Sequence, residues 1–400
     1  MAEQPFTLAV PDADLEYLHK KLDVVRLPDE LDGAGWQYGA PLAHIQRLLA
    51  HWKDGFDWRK AEAEINKLPM FTRDVDVEGF GTLNIHYLHQ KSEVKNAIPL
   101  LFVHGWPGHF LEVRKLLPIL TAKSPDHPSF HVVAVSLPGF AFSEGPKKPG
   151  FEGRQYAEVL NKVMLALGYN EYVYQGGDWG HLLGAHVAHQ YGHKHVKAWH
   201  SNMPSYRAPK LLSNPFLALE PYYSAAARQR IGKSAKYRVT GSGYFLEQAT
   251  KPQTIGYSLA DSPVGLLAWI YEKLVAWTDE YPWTDDEVLE WISVYWFSRD
   301  GPAASVRIYH ALTGGSTHDS FAGAARSTIP LGVSYFPKEI IQLPKSWTQL
   351  LGNVVFESEH DKGGHFAATE QPEALAGDLR NMYGKGGPAH GVVPDRNGYD

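Results

Sequence analysis

Apolar residues recur three and four positions apart over residues 14–27 and 41–52, which predicts two amphipathic helices. Over 72–77 and 82–89 they alternate instead, on either side of Glu78-Gly79-Phe80-Gly81, and predict two antiparallel strands joined by a turn. Residues 56–59 and 68–71 read as connecting segments. From residue 98 a repeated strand–loop–helix pattern takes over. The run Pro99-Leu100-Leu101-Phe102-Val103 predicts a buried strand, followed by a helix over 111–120 and a strand over 131–135. A helix over 154–167, a strand over 171–175, a helix over 182–190 and a strand over 196–200 continue it. Strands and helices alternating at this spacing predict a mostly parallel sheet covered by helices.

The rhythm breaks after residue 203. Stretches rich in Trp and Tyr, including 266–278 and 286–298, keep helical spacing with no strand between them, and strand signal resumes only at 331–336 and 353–356. The pattern predicts an N-terminal arm over 1–95, a core domain over 96–203 and 328–384, and an inserted helical lid over 204–327. The Gly/Pro-rich residues 385–400 predict a mobile tail. No internal repeat is present.

Four hundred residues suit a large domain carrying an insertion, and 44% apolar with 12% aromatic residues supply its core. A net charge of −6 gives no electrostatic case for nucleic acid or an anionic membrane as partner. The chain has no cysteine, which removes disulfides, thiolate chemistry and cysteine-ligated metals. Residues 1–7 show neither a basic start nor an apolar run, and no stretch reaches the roughly 20 apolar residues of a membrane span. The expectation is a soluble cytoplasmic protein without signal peptide or membrane anchor. The arm and lid could support a homodimer.

Candidate chemistry centres on Gly176-Gly177-Asp178-Trp179-Gly180, set between the strand ending at Gln175 and the following helix. A strand, a glycine-flanked polar residue and a helix make the nucleophile elbow of the α/β-hydrolase fold, in which nucleophile, acid and histidine follow in that chain order. Gly363-Gly364-His365 lies after the last predicted strand, where the general base belongs. The loop after 331–336 offers Glu339 as the acid that orients the imidazole, ahead of Asp361, which sits on the histidine's own loop. Backbone N–H groups of Trp179, just after the nucleophile, and of Trp106, in His104-Gly105-Trp106-Pro107-Gly108, are the candidate oxyanion hole.

Aspartate in place of serine changes the reaction. A carboxylate with an unperturbed pKa of about 4 is ionised without help, so the histidine is free to activate water afterwards. Carboxylate attack suits an sp³ carbon and gives an alkyl ester that water splits at its carbonyl. Epoxides and alkyl halides both fit. An opening epoxide needs a proton donor, which a tyrosine hydroxyl supplies, but with 21 tyrosines composition cannot name it.

The chain resembles the microsomal-type epoxide hydrolase family, including its soluble fungal members, from about Trp36 to Tyr383. The resemblance rests on Phe56-Asp57-Trp58-Arg59, the 104–108 loop, Leu137-Pro138-Gly139-Phe140 and the 176–180 elbow. Gly243-Tyr244, Thr250-Lys251-Pro252 and 261–266 extend it through the lid, and Phe336-Pro337-Lys338-Glu339 and 363–368 towards the end. It implies that Asp178 is the nucleophile, His365 the base and Glu339 its acid, with Tyr244 and Tyr309 as ring-opening donors. It further implies a small apolar epoxide and water as substrates, a vicinal diol as product, and no cofactor or metal. Two residues depart from the pattern: His109 stands where a serine is expected, and His181 where a small residue is usual.

Other readings stand beside this one. A haloalkane dehalogenase would use the same nucleophile, and a non-catalytic protein could hold an apolar ligand in the lidded pocket. His181, His186, His189, His193 and His195 suggest a metal, but the Glu of a His-Glu-x-x-His site is missing, so helix-face or solvent histidines are expected. The acidic run 279–287 reads as a turn into a helix N-terminus capped by Thr284.

Overall fold

The protein is described by a computed structural model covering residues 3–315 and 326–400. Residues 316–325 of the expected lid and residues 1–2 of the expected arm lie outside the described residues. The strands are β1 (Gln4–Pro5), β2 (Met70–Val77), β3 (Gly81–Gln90), β4 (Ile98–Val103), β5 (Phe130–Val135), β6 (Tyr172–Gly176), β7 (Val196–Ser201), β8 (Ser327–Tyr335) and β9 (Gly352–Glu359). They form one sheet in the order β1-β2-β3-β5-β4-β6-β7-β8-β9. The β1–β2, β2–β3 and β3–β5 pairs are antiparallel and every later pair is parallel. The mostly parallel sheet expected from the alternating pattern is what forms.

Helices α1 (Asp12–Asp23), α2 (Leu42–Asp54) and α3 (Trp58–Ile65) precede the sheet's main run. Helices α4 (Leu116–Thr121), α5 (Gly153–Ala166) and α6 (Trp179–Tyr191) alternate with its strands. Between β7 and β8 come α7 (Pro215–Tyr223), α8 (Ala225–Thr240), α9 (Gly243–Thr250), α10 (Pro252–Asp261), α11 (Pro263–Ala276), α12 (Asp285–Trp296) and α13 (Arg307–Thr313). Helices α14 (Ala367–Glu370) and α15 (Pro372–Tyr383) follow β9. The central strands are buried on both faces, and their alternating side chains divide between two cores. Leu101, Val103, Val133 and Val135 pack with α5 and α6, while Leu100, Phe102, Val132 and Ala134 pack with α4 and α15. Each buried Val, Leu or Phe among them stabilises the fold by about 1.5–3 kcal/mol.

The first helices brace the later ones. Arg47 donates to both Asp285 oxygens at 3.0 and 2.9 Å, His51 Nε2 lies 2.7 Å from Asp286 Oδ1, and His44 Nδ1 lies 3.1 Å from Tyr271 Oη. The acids that open α12 therefore serve twice, at a helix N-terminus and as partners for α2. Thr284 caps that helix in a reciprocal box with Glu287.

Three expectations need correction. The segment at 56–59 runs into α3, because Asp57 caps it and Trp58, Glu62 and Ile65 bury one face. A single helix over 111–120 is instead a 3-10 turn, Phe110–Val113, followed by the short α4. The tail packs down rather than standing free. Ala389, Val393 and Tyr399 are buried, Ser129 N–H donates to Gly398 O at 2.8 Å, and Gly398 N–H donates to Asn96 O at 2.8 Å. A Cβ at Gly398 would lie 2.4 Å from Pro128, so the close approach itself requires glycine.

Buried imidazoles make this fold sensitive to acid. Burial pushes His86 down to about 3 and His104, His131, His181 and His200 down to about 4. Below the ordinary value of about 6.5 the unfolded chain takes up protons that these neutral rings refuse. Their stabilisation is thus present above pH 6.5 and is lost as pH falls from there towards 4. Burial also raises Glu112 to about 8 and Glu370 to about 7, and these bind protons in the folded state over the same window, offsetting part of the loss. Each such group changes stability by about 1.4 kcal/mol per pH unit, and the lowered histidines outnumber the raised acids, so the net effect is a loss against a typical total of about 5–15 kcal/mol. Far-UV circular dichroism is expected to show cooperative unfolding near pH 5; a fully folded protein at pH 4 would refute this account.

Candidate active site

The elbow is built by close approach. A Cβ at Gly180 would lie 2.1 Å from Val103 O, and one at Gly176 would lie 2.8 Å from Gly180 itself, so β4, β6 and α6 meet with no room for side chains. Asp178 sits at the apex with φ 50°, a conformation that costs a non-glycine residue about 1–3 kcal/mol. Its carboxylate is thereby lifted off the sheet and meets two partners. Trp106 N–H donates to Oδ1 at 2.8 Å, and His365 Nε2 lies 3.4 Å from Oδ2. The Trp179 N–H makes no hydrogen bond to this side chain.

His365 and Glu339 arrive on neighbouring loops joined by a parallel bridge between Lys338 and Gly364. His365 Nδ1 lies 2.8 Å from Glu339 Oε1, which also accepts the Ile340 N–H at 2.7 Å. Burial alone would lower the His365 pKa, but the Glu339 carboxylate, and after it Asp178, outweigh burial and hold it well above the usual value. The competing acid, Asp361, is exposed to solvent. The histidine loop is also tied to the helices above: His365 N–H donates to Trp277 O at 2.8 Å, and Gly363 N–H to Asp279 Oδ2 at 2.9 Å.

Tyr244, on α9, stacks on the Trp106 ring at 5.4 Å, and Tyr309, on α13, meets the same ring edge-on at 5.7 Å. The two tyrosine rings lie 5.8 Å apart. Burial raises both hydroxyls well above a normal phenol, with Asp178 adding to it in each, so both stay protonated. Tyr309 Oη is buried without a hydrogen-bond partner. Tyr244 Oη accepts from Tyr237 Oη at 3.2 Å, and Lys273 Nζ sits 4.6 Å over the Tyr244 ring.

Tyr237 and Lys273 were not legible as site residues, nor was Glu112, which lines the same small cavity as Asp178 and His365. For Glu112 a signal existed: it is the lone acid in Phe110-Leu111-Glu112-Val113. The two unusual histidines support the site from outside that cavity. His109 caps the 3-10 turn through Nδ1, doing a serine's work, and packs 4.2 Å from the Trp291 ring. His181 is held by Ser201 Oγ at 2.9 Å and Ser205 O at 2.8 Å beneath α6. The remaining histidines disperse: His193 faces Thr328, His195 the Asn170 carbonyl, and His186 packs over Gly153.

The arrangement can therefore present an ionised carboxylate to an electrophile, protonate a leaving oxygen from the opposite side, and bring a histidine to the carboxylate afterwards. Comparisons with known proteins agree in kind. Residues 3–113 match the family described as epoxide hydrolase N terminus, and residues 98–281 the α/β hydrolase fold. A putative epoxide hydrolase of Stigmatella aurantiaca is 40% identical, over 95% of this chain and 84% of that protein. Epoxide hydrolase 1 of Sus scrofa is 33% identical, over 95% and 88%. The structure of Aspergillus niger epoxide hydrolase superposes with a TM-score of 0.81 at 33% identity, over 95% of each chain.

Proposed function

The chain belongs to the epoxide hydrolase family, and from that premise we propose that it converts small apolar epoxides to vicinal diols through an ester on Asp178. Oδ1 is already held by the Trp106 N–H, which leaves Oδ2 to attack a ring carbon. The ring C–O bond breaks, and its oxygen takes a proton from Tyr244 or Tyr309. The observation that carries this reading is the pair of buried, protonated phenols packed on Trp106 beside the carboxylate.

Alkylation also times the second step. The ester carries no charge, so His365 loses one of the two anions that hold its proton, and its pKa falls towards that of a base. His365 releases its proton to solvent, to be regained once Asp178 is again an anion, and the neutral ring then takes a proton from water, whose oxygen attacks the ester carbonyl. The Oδ1 oxyanion is stabilised by the Trp106 N–H and, as it moves off the carboxylate plane, by the Trp179 N–H. Collapse breaks the bond from Cγ to Oδ2, and the departing diol oxygen takes the proton from His365. The remaining carboxyl proton returns to the tyrosinate.

Replacing Tyr244 or Tyr309 by Phe is expected to slow ester formation from styrene oxide about 10–100-fold, and replacing both by at least about 10³-fold. Bromide release from a simple bromoalkane, measured in parallel, separates this reading from a dehalogenase. Rapid bromide release that survives the double variant, together with undiminished ring opening, would refute the assignment.

A further inference from the structure

We propose that Tyr237 is a positioning residue for ring opening, which together with Lys273 makes Tyr244 the phenol that protonates the epoxide oxygen; the inference rests on the two-step reading above. The two donors stand in unlike surroundings. Tyr244 Oη accepts the Tyr237 O–H at 3.2 Å, whereas Tyr309 Oη is buried without a hydrogen-bond partner. Tyr244 and Trp179 flank the Tyr309 ring at 5.8 and 4.7 Å, yet neither makes a hydrogen bond to its oxygen. The cation is one-sided too. Lys273, buried and paired with Glu272, sits 4.6 Å over the Tyr244 ring.

The chain is shaped to hold this contact. Tyr237 lies in the last turn of α8 and Tyr244 in the first turn of α9, with Gly241, Ser242 and Gly243 between the helices. Gly241 N–H donates to Tyr237 O at 2.7 Å, and a Cβ at Gly241 would lie 2.8 Å from the Tyr237 ring. That ring also meets Trp277 edge-on at 6.3 Å, the residue whose carbonyl ties down the histidine loop. Among the described residues, Tyr244 alone takes the hydrogen bond of the Tyr237 hydroxyl.

The direction of that bond assigns the roles. A phenol that accepts from Tyr237 keeps its own proton free to give. When the ring C–O bond breaks, its electron pair stays on the oxygen, which takes the Tyr244 proton and leaves a tyrosinate. That anion forms already hydrogen-bonded to Tyr237 and under the Lys273 cation, while a Tyr309 anion would form with neither. Both contacts strengthen only as charge develops, so they favour the transition state over the ground state. Burial, then Tyr309 and Asp178, push the Tyr244 hydroxyl up, and the Tyr237 hydrogen bond pulls it part of the way back.

The test times the two steps separately by quenched-flow mass spectrometry, with styrene oxide and with trifluoromethyl oxirane, whose leaving oxygen is less basic. Tyr237→Phe removes one hydroxyl from a packed ring. It is expected to slow ester formation from styrene oxide about 10-fold, the size of a hydrogen bond to a forming charge, and to leave ester hydrolysis within about twofold. With trifluoromethyl oxirane the loss should fall below about threefold, because that oxygen needs less of the proton. A merely misplaced Tyr244 would lose equally on both epoxides. The loss should shrink to less than about twofold in a Tyr244→Phe background and persist in Tyr309→Phe. Lys273→Met keeps the apolar stem and is expected to slow the same step about 3–10-fold, with the same dependence on Tyr244. Unaltered ring opening in Tyr237→Phe, equal slowing of both steps, equal loss on both epoxides, or a loss that survives Tyr244→Phe overturns the proposal. Unaltered ring opening in Lys273→Met overturns the part assigned to Lys273. Failure of the underlying reading looks different: the parent forms no ester on Asp178, or Tyr244→Phe and Tyr309→Phe both leave ring opening unchanged.

Discussion

Asp178→Asn is expected to lower diol formation at least about 10⁴-fold, a loss of the size seen when a covalent nucleophile is removed. The substitution keeps the side chain's shape, and the Trp106 N–H can still donate to the amide oxygen at the Oδ1 position. What disappears is the charge that attacks carbon. His365 should respond as well. It loses the Asp178 anion and keeps Glu339, so its pKa should fall, and imidazole NMR would report the change. Incubation with styrene oxide should leave the variant at its own mass. If diol still forms at more than a hundredth of the parent rate, another group opens the ring and Asp178 is not the nucleophile. A non-catalytic ligand-binding protein makes the opposite forecast, since its function would survive the exchange.

His365→Gln is expected to stop turnover at a different place. Ester formation needs no base, because a carboxylate, unlike a serine hydroxyl, has no proton to give up before it attacks. The variant should therefore gain one substrate mass, localised to Asp178, and hydrolyse the adduct at least about 10³-fold more slowly than the parent. In the parent, a single turnover in ¹⁸O-labelled water should place the label in Asp178 and none in the diol. This follows from Trp106 holding Oδ1, so that Oδ2 is the oxygen the diol carries away. Absence of an adduct in the variant, alongside diol production by the parent, would show that His365 takes part in the attack itself.

Sequence pattern was informative wherever one segment determines its own environment. The Leu100–Val103 run could only be a strand buried on both sides, and it splits residue by residue between the two cores. Glycines at 176 and 180 announced a tight elbow because no other residue fits where β4 approaches α6. Thr284 and Glu287 spelled a helix start that local hydrogen bonds alone secure. The pattern failed where a residue's role is assigned by a distant one. The α3 helix hides its apolar face behind charged residues, and its buried Glu62 pairs locally with Arg59 but also accepts the distant Val10 N–H at 2.7 Å. The 385–400 segment has the composition of a free tail, yet backbone bonds to residues some 270–300 positions earlier hold it down. Tyr237 is one of 21 tyrosines until the fold sets its hydroxyl 3.2 Å from that of Tyr244.

The bracing of α11 and α12 by α2 bears on how such enzymes diversify. Asp178, Glu339 and His365 lie on the sheet and its loops, whereas Tyr244 and Tyr309 lie on helices that leave the sheet after β7 and rejoin it at β8. On the proposed mechanism, protonation of the ring oxygen is thus encoded in a separate stretch of chain from nucleophilic attack and ester hydrolysis, and new substrate ranges could be acquired by exchanging the helical stretch alone. The contacts of Arg47 with Asp285, His51 with Asp286 and His44 with Tyr271 forbid so simple a swap. A transplanted set of helices would arrive without its partners, so inheritance, natural or in a chimera, has to move residues 42–54 together with 263–296 as one recombining unit.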